Sequence, residues 1–88
     1  MKRKDDLVMR SIGGDSLLVP TGARVAEMQG VVVLNGTGRS MWELLAEERS
    51  VDELAAAVAE RFDVDTSRAH SDVQSFVDEM AQMGLLQL

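Results

Sequence analysis

His70 is the single histidine of the 88 residues, and there is no cysteine. A transition-metal site draws on several imidazole or thiolate ligands, so none is expected, and a serine triad has no base here but His70. The lack of cysteine removes disulfides and thiolate nucleophiles and leaves the redox compartment undecided. Asp63-Val64-Asp65 opens like a calcium loop. Its sixth position is Arg68 where the sharp turn needs glycine, and its twelfth is Gln74 where a bidentate Glu is needed. These acids are therefore expected to cap helices. Gly36-Thr37-Gly38 lies between a strand and a helix, as a dinucleotide-binding turn does. The third glycine position is Met41, however, and the next segment is helical. The many carboxylates fall on polar helix faces. No cofactor, no metal and no catalytic set is expected, and the chain reads as a non-enzyme.

The elements that carry these residues follow from the pattern. Leu7 to Ile12 predicts a strand, Gly13-Gly14-Asp15 a turn, and Ser16 to Val19 the returning strand of a hairpin. Pro20 ends it, because proline lacks the ladder donor. Residues 23–29 fit a loop or a ragged strand. Val31-Val32-Val33-Leu34 is a β-branched run and the clearest strand of the chain. Asn35 or Thr37 then caps a helix with Met41, Trp42, Leu44 and Leu45 on its apolar side. That helix should stop near Glu47 and Glu48, whose charges oppose its dipole. Ser50-Val51-Asp52-Glu53 is a capping box, and Val51, Leu54, Ala55, Val58 and Phe62 form one apolar stripe behind it. A last helix is capped by Asp65, Thr66 or Ser67. Ala69, Val73, Phe76, Val77, Met80 and Met83 form its stripe, and Gly84 stands at the residue past its end. Leu85 to Leu88 should pack back on the domain.

Three strands followed by three helices predict an α+β fold, with a three-stranded antiparallel sheet covered by helices. One domain over residues 1–88 is expected, with 1–6 disordered. By the size scaling of folded chains, roughly 63% of the surface is buried on folding, enough for one modest core. Aromatics are only 3%, so that core must be aliphatic. No apolar run approaches the roughly 18 residues of a bilayer span, and no signal segment is seen. The expectation is a soluble cytoplasmic protein with no membrane partner. The formal charge of −6 falls entirely in residues 50–88, where Arg61 and Arg68 face eight acids. Such a surface repels phosphate backbones, so no nucleic acid is expected as partner.

A small sheet has two edges, and an edge strand presents unpaired backbone groups that an added strand can satisfy. The pattern leaves open whether Val31–Leu34 is an edge or an interior core strand. A solitary hydrophobic edge also invites self-association, which admits a homodimer.

Leu34-Asn35-Gly36-Thr37-Gly38, Met41-Trp42-Glu43-Leu44-Leu45 and Ser50-Val51-Asp52-Glu53-Leu54, in that order, resemble the PqqD-like family (coenzyme PQQ synthesis protein D, a RiPP recognition element). Leu18-Val19-Pro20 and Met83-Gly84-Leu85-Leu86 are similar to it as well. The resemblance implies a winged-helix-like fold and a non-catalytic role, binding the leader of a ribosomally made precursor peptide. The leader is added as a strand to the third strand, beside the third helix, and presented to a modifying enzyme, often of the radical SAM type. The implied products are pyrroloquinoline quinone or related peptide natural products. Carried onto this chain, the docking strand is Val31, Val32, Val33 and Leu34. Asp72, Ser75, Phe76 and Glu79 of the facing helix are the expected peptide contacts, the two acids favouring a peptide with Lys or Arg. Asn35, Thr37 and Trp42 match the motif as structural residues, a cap and a core anchor.

Two other readings stand beside this one. The last two helices could form a helix-turn-helix of a winged-helix DNA-binding regulator, although Arg68 and His70 then share the recognition helix with Asp72, Asp78 and Glu79. A small protein-interaction adaptor that handles no precursor peptide fits the same sequence.

Overall fold

In the computed structural model, which describes residues 1–27 and 30–88, the chain forms a two-stranded sheet, a three-stranded sheet and a set of helices. The order is β1 (Lys2–Arg3), β2 (Leu7–Ile12), β3 (Asp15–Pro20), α1 (Arg24–Glu27), β4 (Val32–Leu34), α2 (Gly36–Leu44), α3 (Val51–Phe62), α4 (Thr66–Gln82) and β5 (Leu86–Gln87). The α+β class and the three-stranded antiparallel sheet are as the sequence predicts, with the strand order β2-β3-β4.

The hairpin β2–β3 closes on the pair Ile12↔Asp15 around Gly13 and Gly14, which have φ of 58° and 91°. A two-residue loop matches the twist of its strands when both residues have positive φ, which favours glycine. Pro20 sits at the last position of β3, opposite Leu7.

Each long helix starts on the cap its sequence offers. Asn35 Oδ1 accepts from the Gly38 amide at 2.7 Å, and Asp65 Oδ1 accepts from the Arg68 amide at 2.8 Å. Ser50 and Glu53 complete the capping box in both directions. Asp63 ends α3 in the left-handed region, so the failed calcium motif serves as helix stop and helix start. Gly84, with φ of 72°, lets the chain turn past Met83 and return as β5.

The capping box titrates. The backbone N–H of Ser50, and then its hydroxyl, hold the Glu53 carboxyl below its ordinary value of 4.5. A depressed folded value contributes stability above the unfolded pKa, and that contribution is lost as pH falls through the folded one. Glu53→Gln is therefore expected to be less stable than wild type at about pH 7, with the gap closing as pH falls through the folded value. Urea unfolding across an acid pH series checks this, and a gap independent of pH would contradict it.

The inner face of the sheet contributes Leu7, Leu18 and Leu34 to one core with Met41, Trp42, Leu54, Val58, Val73, Phe76 and Met80. Two residues of the expected stripes leave it. Phe62 is 37% exposed as the last residue of α3, and Met83 is exposed as the C-cap of α4, so both sit at helix ends rather than within the packed turns.

Other differences from the expectation concern the ends and connections. Residues 1–6, expected to be disordered, carry β1, paired antiparallel with β5 through Lys2↔Gln87 and Arg3↔Leu86. Backbone bonds from Arg3 to the Leu45 carbonyl (2.9 Å) and from Lys4 to the Leu85 carbonyl (3.0 Å) hold it. The Arg3 guanidinium also bonds the Trp42 carbonyl and lies 5.8 Å from the centre of its ring. Of residues 23–29, read as loop or strand, Arg24–Glu27 form one helical turn and 28–29 lie outside the described residues. Arg24 Nε donates to Asp6 Oδ2 at 2.9 Å, which fixes that turn to the start of β2. Among the described residues no helix is long and apolar enough to cross a membrane.

Candidate functional site

The site starts from which way the backbone of β4 points. Every residue of a strand sends its N–H and C=O to the same side, and in an antiparallel pair bonded and non-bonded partners alternate. Thr21 N–H donates to the Asp6 carbonyl at 3.0 Å, which makes Asp6 and Thr21 a bonded pair just ahead of Leu7↔Pro20. Alternation then gives Val8↔Val19, Arg10↔Leu17 and Ile12↔Asp15 as the bonded pairs, and the last is the pair a two-residue hairpin must close on. Asp15, Leu17 and Val19 thus serve β2, while Ser16 and Leu18 serve β4. In the register Ser16↔Leu34, Leu17↔Val33, Leu18↔Val32, the bonds to β3 fall on Val32 and Leu34. Val33 is the non-bonded partner.

Two consequences follow for Val33. β4 is an edge of the sheet, so the Val33 N–H and C=O point away from β3 into the open side. Its side chain points to the face opposite Val32 and Leu34, which explains why Val33 is 63% exposed while Leu34 is buried.

Val31 departs from the expectation. The strand begins at Val32, and Val31 is 48% exposed ahead of it. Continuing the ladder would require Gly30 to form the next bonded pair with Pro20, which has no N–H to give. The pairing therefore stops at Leu18↔Val32.

Beside the open edge runs a groove of about 440 Å³. One wall is Val32, Val33 and Leu34; the other is α4, with Asp72, Ser75, Phe76 and Glu79. Seven of the eight residues singled out from the sequence thus border one groove, and Val31 does not. The early residues of α2, from Asn35 to Gly38, close part of it, and Met41 and Met80 add to its apolar lining. Arg68 also borders it, which the sequence reading missed. The helical repeat contains the signal. Steps of three and four from Asp72 place Arg68, Ser75, Phe76, Glu79 and Met80 in one stripe.

The electrostatics of the groove come from three side chains. Arg68 Nε lies 3.8 Å from Asp72 Oδ2, one helical turn away. Both are well exposed, so the pair adds little stability, but it largely compensates the two charges. The Glu79 carboxylate has no ion pair or hydrogen bond among the described residues. Phe76 and Met80 beneath it are buried. Among the described residues no three His, Asp or Glu side chains gather in a way that could hold a metal ion. The groove offers backbone hydrogen bonding along one wall and a mixed face of charged, hydroxyl and apolar side chains along the other, which suits an extended polypeptide.

A model of the family described as coenzyme PQQ synthesis protein D (PqqD) matches residues 17–86, from β3 into β5. A solved structure, TbiB1 in complex with the TbiA(beta) leader peptide, has the same fold, with a TM-score of 0.76 at 24% identity, covering 99% of this chain and 95% of that one. No curated protein matches the chain.

Proposed function

This chain belongs to the PqqD family, and on that premise we propose that it is a non-catalytic module that captures the leader of a ribosomally made precursor peptide. The leader lies along the β4 edge as an added strand, between Val32–Leu34 and α4, and the module presents it to a modifying enzyme. The observation that carries this reading is the outward N–H and C=O of Val33, left free beside a groove walled by α4. The relative solved with a leader peptide supports it through its shared fold.

The finer assignments rest on the same premise. The enzyme served is of the radical SAM type or another peptide-modifying class, the setting is the cytoplasm, and the product is pyrroloquinoline quinone or a related peptide natural product. The excess of acid on α4 weighs against nucleic acid as the occupant. A second copy of the chain could pair along the same edge, and such a homodimer would compete with the peptide.

Titration of the isotope-labelled protein with short precursors encoded near its gene tests the proposal. The amides of Val31 to Leu34 and of the groove face of α4 are expected to shift together on binding. Precursors that bind while leaving those amides unmoved, or that do not bind at all, would remove the basis for it.

A further inference from the structure

We infer that the segment this groove takes carries a Lys or Arg two residues from an apolar side chain, the two straddling the residue that lies opposite Val33. The inference rests on the peptide-capture reading above and adds the chemistry of the captured sequence.

The spacing comes from the strand. Whether the incoming segment runs parallel or antiparallel to β4, the residue directly opposite Val33 points its side chain to the same face as the Val33 side chain; in the antiparallel case that residue makes both bonds to Val33, and in the parallel case its two neighbours make them. That face is the one opposite Val32 and Leu34. The residues immediately before and after it point into the groove, about 6.8 Å apart. Two side chains of the ligand, at positions i and i+2, therefore meet α4.

The chemistry comes from what α4 offers them. Phe76 and Met80, with Leu34 and Met41 across the groove, provide apolar surface for one of the pair. The polar rim holds Arg68, Asp72 and Glu79. Arg68 and Asp72 face one another. Glu79 is left with a charge that nothing in the described chain answers. It lies one helical turn beyond Phe76, which borders the same groove, so a cation bound there lays its aliphatic stem toward that ring. A ligand carboxylate at the same place would meet the unpaired Glu79 and the general negative charge of residues 50–88. The cation is thus the complement of the rim.

Selection from a phage-displayed random library of roughly 12-residue peptides, against the full chain, tests this. The wild-type pool is expected to concentrate Lys or Arg two positions from an aliphatic or aromatic residue, above the unselected library. Against Glu79→Lys the basic position should give way to Asp or Glu, and the best wild-type peptide should bind about tenfold more weakly, since an attraction becomes a repulsion. Asp78→Lys makes the same change in net charge outside the groove and should stay within about twofold. Glu79→Lys retaining the wild-type preference would overturn the inference, as would Asp78→Lys weakening binding equally. The capture reading fails in a different way: no sequence is enriched, or the enriched peptides leave the Val33 amide unshifted.

Discussion

Val33→Pro is expected to abolish capture of a leader peptide, weakening binding at least tenfold, while Val33→Ala stays within about twofold of wild type. The contrast follows from where each part of Val33 points. Its side chain is 63% exposed on the face opposite Val32 and Leu34. Its N–H and C=O face the open edge, because Leu17↔Val33 is the non-bonded pair of the β3–β4 ladder. Proline removes that donor and sets its ring where the incoming strand must lie. The loss of one backbone bond corresponds to about 1 kcal/mol, and the ring adds a steric term. The fold should tolerate the change, since proline is accepted on an edge strand where the missing N–H faced solvent. An amide-to-ester replacement at the same bond, made by semisynthesis, removes the N–H without the ring and separates the two effects. The expected order of affinity is wild type, Val33→Ala, the ester, then Val33→Pro. Equal binding by wild type and the ester would show that the backbone at Val33 is not the docking point. By contrast, Val32→Pro should damage the fold itself, because the Val32 N–H bonds to Leu18 across the ladder.

The largest effect on stability is expected at Trp42. It is 1% exposed and is the only tryptophan of the chain. It joins α2 to the core, and its carbonyl and ring hold Arg3 of β1. Truncating a buried tryptophan to alanine costs about 3–5 kcal/mol. A domain of this length has a total of roughly 4–13 kcal/mol. Trp42→Ala should therefore leave a substantial unfolded fraction or none folded at room temperature. Trp42→Phe should lose much less, since it keeps most of the apolar volume. Far-UV circular dichroism during urea unfolding measures both variants without relying on the removed fluorophore. A loss under about 1 kcal/mol for Trp42→Ala would mean that α2 is not anchored through this side chain.

Local signals were enough for much of the architecture. The capping box at Ser50, the glycine pair at the hairpin and Gly84 after α4 act within a few residues, so the chemistry of the chain fixes them wherever the segments end up. The stripe on α4 is of the same kind: Asp72, Ser75, Phe76 and Glu79 lie on or beside it, and one further step back along the same repeat reaches Arg68; that this helix faces a peptide is what the family resemblance implies.

Val31 and the N-terminal residues belong to another class. The limit of β4 depends on Pro20, which is distant in sequence and enters only through the register of a neighbouring strand. The order of residues 1–6 depends on Leu45, Leu85 and Trp42, which come into reach only after the helices have packed. The amino-acid sequence alone determined the elements, their caps and the buried faces, because those follow from nearest-neighbour sterics and periodic hydrophobicity. Only tertiary structure decided that β4 lies at an edge, that Val33 turns its backbone outward and that α4 stands across a groove from it. Strand order and hydrogen-bond parity are properties of pairs of segments, and no single segment encodes them.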